Sequence, residues 1–244
     1  MKVEVFPYFL KKERFLGYLA QPKEDTKKKP VVLIAHAWLG QNEYARQMTE
    51  KFCEQGYIAM ALDLYGEGKI AKDREEAKEL VSALHKDTQL ICDRVNSAID
   101  VISTLKEADG TKIALVGYCF GGFCAIEALR SQSNLCGVVS VHATLGAIEG
   151  SELCRAPWGS GSFAPLLLLH GHLDPLVSKE ELSNFKDEMT EHGVDWQIVI
   201  YSNTMHGFTN PKANAPQAGV VYEPKSAARS WQHTLTFLQE VFDG

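Results

Sequence analysis

Three residues of this chain could together cleave an acyl bond: Cys119, Asp174 and His206. Cys119 stands in Gly117-Tyr118-Cys119-Phe120-Gly121-Gly122. The run before it, Lys112 to Val116, reads as a buried strand, and the run after it, Phe123 to Arg130, consists of good helix formers. Strand, Gly-x-Cys-x-Gly, helix is the nucleophile-elbow pattern with sulfur in place of the usual serine oxygen. The nucleophile occupies a strained turn, so a side chain two residues before or after it would meet backbone, which explains the glycines. The same turn sets the thiol at a helix N-terminus, whose dipole favours thiolate. Taken alone, the hexapeptide also fits a Gly-rich turn around a buried, inert cysteine.

Asp174 follows a strand in His170-Gly171-His172-Leu173-Asp174-Pro175. Alone it reads as a turn or capping aspartate. His206, in Asn203-Thr204-Met205-His206-Gly207-Phe208, alone reads as a solvated loop histidine. The order makes them a set: nucleophile, strand-end carboxylate and strand-end imidazole, with gaps of 55 and 32 residues that leave room for the elements between. The imidazole would take the thiol proton and the carboxylate would hold the imidazole in one tautomer. His170 and His172 read as structural.

These three need a frame that gathers strand ends. Val3 to Phe9 and Arg14 to Ala20 read as two opening strands. Further strands are expected at Val31 to Ala35, Tyr57 to Leu62, Lys112 to Val116, Leu135 to Val141, Pro165 to His170 and Trp196 to Tyr201. Between them, helical patterns fall at Tyr44 to Gln55, Asp73 to Leu84, Asp87 to Glu107 and Ser178 to His192, and a last helix at Glu223 to Phe242. Asp109-Gly110 marks a helix stop, Ser178-x-x-Glu181 a capping box, and Ser202 to Tyr222 a long loop. Gln21 to Lys29 reads as a polar turn and His142 to Ala164 as an irregular stretch. Strands alternating with helices predict an α/β fold: a mostly parallel central sheet, helices on both faces, and an antiparallel N-terminal edge. Without repeats or linkers, residues 1–244 are expected to form one domain. In such a sheet ligands gather at the carboxyl ends of the strands, where His36, Asp63 and His142 also fall.

Composition excludes more than it selects. A formal charge of −6 over 244 residues argues against nucleic acid or an anionic membrane as partner. Glu4 and Pro7 interrupt what a signal peptide would need, and no apolar run reaches the length of a membrane span, so the expected location is cytoplasmic. Six cysteines at irregular spacing, without CxxC, give neither a disulfide framework nor a zinc site, and no cofactor is implied. Five of the six read as small buried or half-buried hydrophobes.

Gly-Tyr-Cys-Phe-Gly-Gly, His-Gly-x-x-Asp-Pro-x-Val and His-Gly-Phe, in this order, resemble the dienelactone hydrolase family of α/β-hydrolases, from about Arg14 onward. The resemblance implies an α/β-hydrolase fold, a Cys119–His206–Asp174 triad, and an oxyanion hole of the Phe120 and Trp38 backbone N–H groups. Two positions depart from the family's prototypes. Ala37 stands where they carry a glutamate that holds the resting thiol, so Cys119 is expected to be constitutively reactive. Asn210 stands where they carry an arginine for the lactone carboxylate, and Arg74 is the nearest substitute. Trp38, Tyr65, Phe120, Phe208 and Trp158 are candidates for an apolar wall, Tyr65 and Phe208 being the assigned pocket residues.

The expected activity is hydrolysis of a small-molecule ester or lactone through an acyl-cysteine. The same triad acting on a thioester, phosphotriester or peptide-like bond is an alternative, as is a hydrolase fold kept for ligand binding only. Oligomeric state, monomer or homodimer, is left open.

Overall fold

A computed structural model of the chain describes residues 1–23, 27–146 and 152–244. Residues 24–26 of the polar turn and 147–151 of the irregular stretch lie outside the described residues.

Among the described residues eight strands form one sheet: β1 (Lys2–Leu10), β2 (Glu13–Gln21), β3 (Lys29–Ala35), β4 (Ile58–Ala61), β5 (Ala108–Tyr118), β6 (Gly137–Val141), β7 (Leu166–Gly171) and β8 (Trp196–Tyr201). Their spatial order is β1-β2-β4-β3-β5-β6-β7-β8. The β1–β2 hairpin is antiparallel and β2 meets β4 antiparallel, while every pairing from β4 through β8 is parallel. The mostly parallel sheet with an antiparallel N-terminal edge is therefore as expected. Chain order reverses on either side of β3, which places a switch point beside β5, the strand that delivers Cys119.

Among the described residues six helices cover the sheet: α1 (Glu43–Glu54), α2 (Arg74–Lys86), α3 (Thr88–Ser103), α4 (Phe120–Arg130), α5 (Lys179–Glu191) and α6 (Pro224–Asp243). A buried parallel strand must be apolar on both faces, and β3 divides accordingly. Val31, Leu33 and Ala35 pack with residues of α2, α3, α4 and α5, whereas Val32 and Ile34 pack with residues of α1 and α6. All five are fully buried, each worth about 1.5–3 kcal/mol when the side chain is large. Ser178 and Glu181 form the expected capping box of α5. Among the described residues no helix is long and apolar enough to cross a membrane.

Two expectations need correction. Asp109-Gly110 does not end a helix. α3 stops at Ser103, and β5 already begins at Ala108, which pairs with Lys29 across a register shift. The stretch from Ser202 to Tyr222 is not featureless. It holds a two-stranded ribbon, β9 (Asn214–Ala215) and β10 (Val220–Val221), around a single 3-10 turn at Pro216–Ala218, and His206 bridges to Val220.

Candidate active site

The elbow is built by close backbone approach. Cys119 has φ 56° and ψ −116°, a conformation that L residues rarely adopt. A Cβ on Gly117 would lie 2.0 Å from the Gly121 carbonyl oxygen, and one on Gly121 would lie 2.1 Å from that of Ala35. Both glycines are therefore fixed by backbone packing. The strained turn is held by the Cys119 N–H, which donates to Val141 O at 2.9 Å, and by the Gly122 N–H donating to Cys119 O at 2.9 Å.

β7 and β8 bring the other two residues to the sulfur. The His206 Nε2 to Cys119 Sγ distance is 3.0 Å, and His206 Nδ1 to Asp174 Oδ2 is 2.8 Å. Asp174 serves as a turn residue too: its Oδ1 accepts the Leu176 N–H at 2.9 Å, leaving Oδ2 for the imidazole. The histidine is not solvated. It is 2% exposed, and its backbone is tied to Gly219 O and to the Val221 N–H of the ribbon. Burial disfavours the imidazolium, but the charge of Cys119 and the hydrogen bond and charge of Asp174 outweigh it, and the pKa rises to about 10.

Four of the other five cysteines are placed to be inert. Burial pushes Cys53 and Cys136 up to about 11 and Cys92 up to about 12. Cys124, fully buried, lies well above the ordinary thiol range. Cys154 corrects the expectation of five buried or half-buried thiols, because it is exposed. Its backbone is pinned by His85 O and the Thr88 hydroxyl, which turns the side chain outward.

The Trp38 and Phe120 backbone N–H groups have no hydrogen-bond partner among the described residues, and both residues line the cavity that holds Cys119. Phe120 is the first residue of α4, where the N–H has no intrahelical acceptor. The Trp38 turn is fixed from two sides: the Gly40 N–H donates to Ala37 O at 3.0 Å, and the Tyr65 hydroxyl donates to Trp38 O at 2.7 Å. Tyr65 therefore sits behind this loop, stacked on Phe120 at 6.2 Å, rather than on the cavity surface. Phe208 is also displaced from the assigned wall. It is fully buried behind His142, whose ring meets it edge-on at 5.1 Å. Trp158 lies elsewhere, stacked on His192 at 3.8 Å.

The remaining strand-end residues support the loops. Asp63 accepts N–H groups from Leu16, Tyr65, Gly66 and Gly68. His36 donates from Nδ1 to Ala37 O and accepts the Leu64 N–H at Nε2, and burial pushes its pKa down to about 4, so the ring is neutral. His170 is buried beside the site and His172 is exposed, neither in hydrogen-bond reach of Cys119.

The cavity has a volume of about 340 Å³. Arg74 and Lys78 of α2 stand on its wall, with the Arg74 guanidinium 5.6 Å from the Trp38 ring centre, and Asn210 lines it too. No carboxylate lines it among the described residues. Lys78 was invisible to motif reasoning, and only the one-turn spacing from Arg74 on a predicted helix could have suggested it. Among the described residues no group of three or more His, Cys, Asp or Glu side chains is arranged to hold a metal ion.

With this geometry established, comparison with known proteins is decisive: the dienelactone hydrolase family profile matches residues 15–242. The chain belongs to the dienelactone hydrolase family. The solved structure of m3DLH superposes with a TM-score of 0.88 at 32% identity, covering 99% of this chain and 98% of that one. A dienelactone hydrolase-like promiscuous phosphotriesterase from metagenomic libraries superposes with a TM-score of 0.87 at 26% identity, again covering 99% and 98%. An uncharacterized Caenorhabditis elegans protein is 32% identical over 151 residues, which is 61% of this chain and 92% of the relative. The fold is accordingly the α/β-hydrolase fold, and this dienelactone hydrolase family member is a hydrolase of the ester- and lactone-cleaving class, for which the family implies small-molecule substrates.

Proposed function

We propose that the chain hydrolyses a small ester or lactone through a Cys119–His206–Asp174 triad and an acyl-cysteine. The observation that carries this is the unbroken line of contacts, 3.0 Å from sulfur to imidazole and 2.8 Å from imidazole to carboxylate. His206 takes the thiol proton, and its raised pKa keeps that proton on the ring at neutral pH. The thiolate attacks the carbonyl carbon, and the Trp38 and Phe120 N–H groups receive the developing oxyanion. Collapse breaks the C–O bond, and the leaving alkoxide takes the proton from His206. Water then gives a proton to His206 and adds to the thioester carbon, and the second collapse returns acid and the Cys119–His206 pair. Asp174 fixes the tautomer throughout.

Two features shape the substrate. Ala37 brings no carboxylate to the resting sulfur, so the pair is unguarded between turnovers. Arg74 and Lys78, unopposed by any carboxylate in the described lining, favour a substrate with an acidic substituent, a task the prototypes' arginine at the Asn210 position would otherwise perform. A second reading, attack of the same thiolate on phosphorus, is supported by the likeness to the promiscuous phosphotriesterase. Turnover of p-nitrophenyl acetate by wild type and Cys119→Ala tests the proposal. Loss of at least a hundredfold in the variant is expected, and equal rates would end the claim.

A further inference from the structure

A second cavity, of about 430 Å³, opens between α1 and the start of α6 on the far side of the Tyr44–Tyr118 pair. Tyr44 and Tyr118 line both cavities, with their rings edge to face at 5.7 Å, so the pair forms a partition one side chain thick. The chemistry of the second cavity is distinct. Tyr222 and Trp231 add two further aromatic side chains to its wall. The Lys51 ammonium stands 3.8 Å over the Trp231 ring centre. It makes no salt bridge among the described residues; Glu54, one turn further along α1, is the carboxylate that acts on it through space. No Asp or Glu lines the cavity among the described residues. A cation held on an aromatic face, in a cavity lined by further rings and by no carboxylate among the described residues, is the complement of a flat aromatic ring carrying an anionic group.

The partition also leads to the site. The Tyr44 hydroxyl donates to Thr209 Oγ1 at 2.7 Å, and Thr209 Oγ1 lies 2.7 Å from His142 Nε2. His142 has φ 39°, is 2% exposed, and its Nδ1 is buried without a hydrogen-bond partner. Its ring meets His206 edge-on at 5.3 Å. A strained, incompletely satisfied imidazole against the proposed general base is a contact that a shift of Tyr44 would disturb. From these observations we propose that this cavity is a second small-molecule site, for a planar aromatic anion, joined to the Cys119–His206 pair through Tyr44, Thr209 and His142.

The test uses 2-naphthoate with the full chain. Tryptophan fluorescence is expected to change saturably. Lys51→Met should weaken the titration at least tenfold, Trp231→Leu should abolish the signal, and Arg74→Ala, in the Cys119 cavity, should leave it intact. No saturable change, or a titration lost in Arg74→Ala but kept in Lys51→Met, overturns the site. In parallel, saturating 2-naphthoate should alter the rate of iodoacetamide alkylation at Cys119 at least twofold, and Thr209→Val should remove the change while binding persists. An unaltered rate at saturation, or one altered equally in Thr209→Val, overturns the link. The fluorescence titration needs no turnover, so its outcome is separable from failure of the hydrolase reading.

Discussion

Replacing Gly121 with alanine probes how far the site depends on backbone packing at the elbow. The new Cβ would stand 2.1 Å from Ala35 O, 2.4 Å from the Ala35 carbonyl carbon and 2.6 Å from His36 O. These are backbone atoms in a fully buried strand end, so no side chain can yield. To reach the 3.0 Å that real Cβ contacts respect, α4 and the end of β3 must part by about 0.9 Å. Phe120 precedes the substituted residue and Trp38 follows Ala35 by three, so the same movement separates the two proposed oxyanion donors. Misplacement on the order of 1 Å costs roughly a hundredfold in rate, and loss of one such donor costs as much or more. We expect kcat/KM for p-nitrophenyl acetate to fall about a hundredfold or more. Gly56→Ala is the control: at φ +94° with nothing within 4 Å, it adds left-handed strain of about 1–2 kcal/mol and no clash. Urea melting should show that loss in Gly56→Ala, with turnover per folded molecule unchanged. Wild-type turnover in folded Gly121→Ala, or an equal loss in Gly56→Ala, would refute the reasoning.

Two further outcomes follow from the same geometry. In Asp174→Asn, burial still pushes the His206 pKa down while one of the groups raising it towards about 10 is gone, so the imidazolium is lost at lower pH. The His206 ring proton, followed by NMR of the labelled imidazole, should then be released at lower pH in the variant than in wild type; superimposable titrations would contradict the assignment. In Tyr65→Phe, the bond to Trp38 O disappears, at about 1 kcal/mol of stability. Stopped-flow and steady-state kinetics should show kcat falling about tenfold with KM little changed, because the residue fixes a donor loop and touches no substrate.

Much of this was legible because the signals are local. The elbow glycines, the apolar strand runs and the Ser178–Glu181 capping box each depend on near neighbours, and the strand-end positions of Asp174 and His206 follow from chain order. What was illegible depends on distance in sequence. Whether Tyr65 faces the cavity or braces Trp38 is decided by a bond across 27 residues, and Phe208 is hidden by His142, a residue of another strand end. The Tyr44–Thr209 contact spans 165 residues and joins two polar side chains that no periodicity marks. β5 begins early because Ala108 finds Lys29, a polar, irregular pairing that the Asp109-Gly110 turn signal obscured. The two-residue ribbon is too short for any alternation to register, yet it holds the His206 backbone.

The central claim is that Cys119 carries the acyl group. Rapid quench of wild type with p-nitrophenyl acetate, followed by intact-protein and peptide mass spectrometry, measures this directly. The account predicts a single added acetyl group, located on Cys119, formed within the first turnover and lost on standing. Hydrolysis without an adduct at Cys119, or an adduct on exposed Cys154 with Cys119 unmodified, would contradict it.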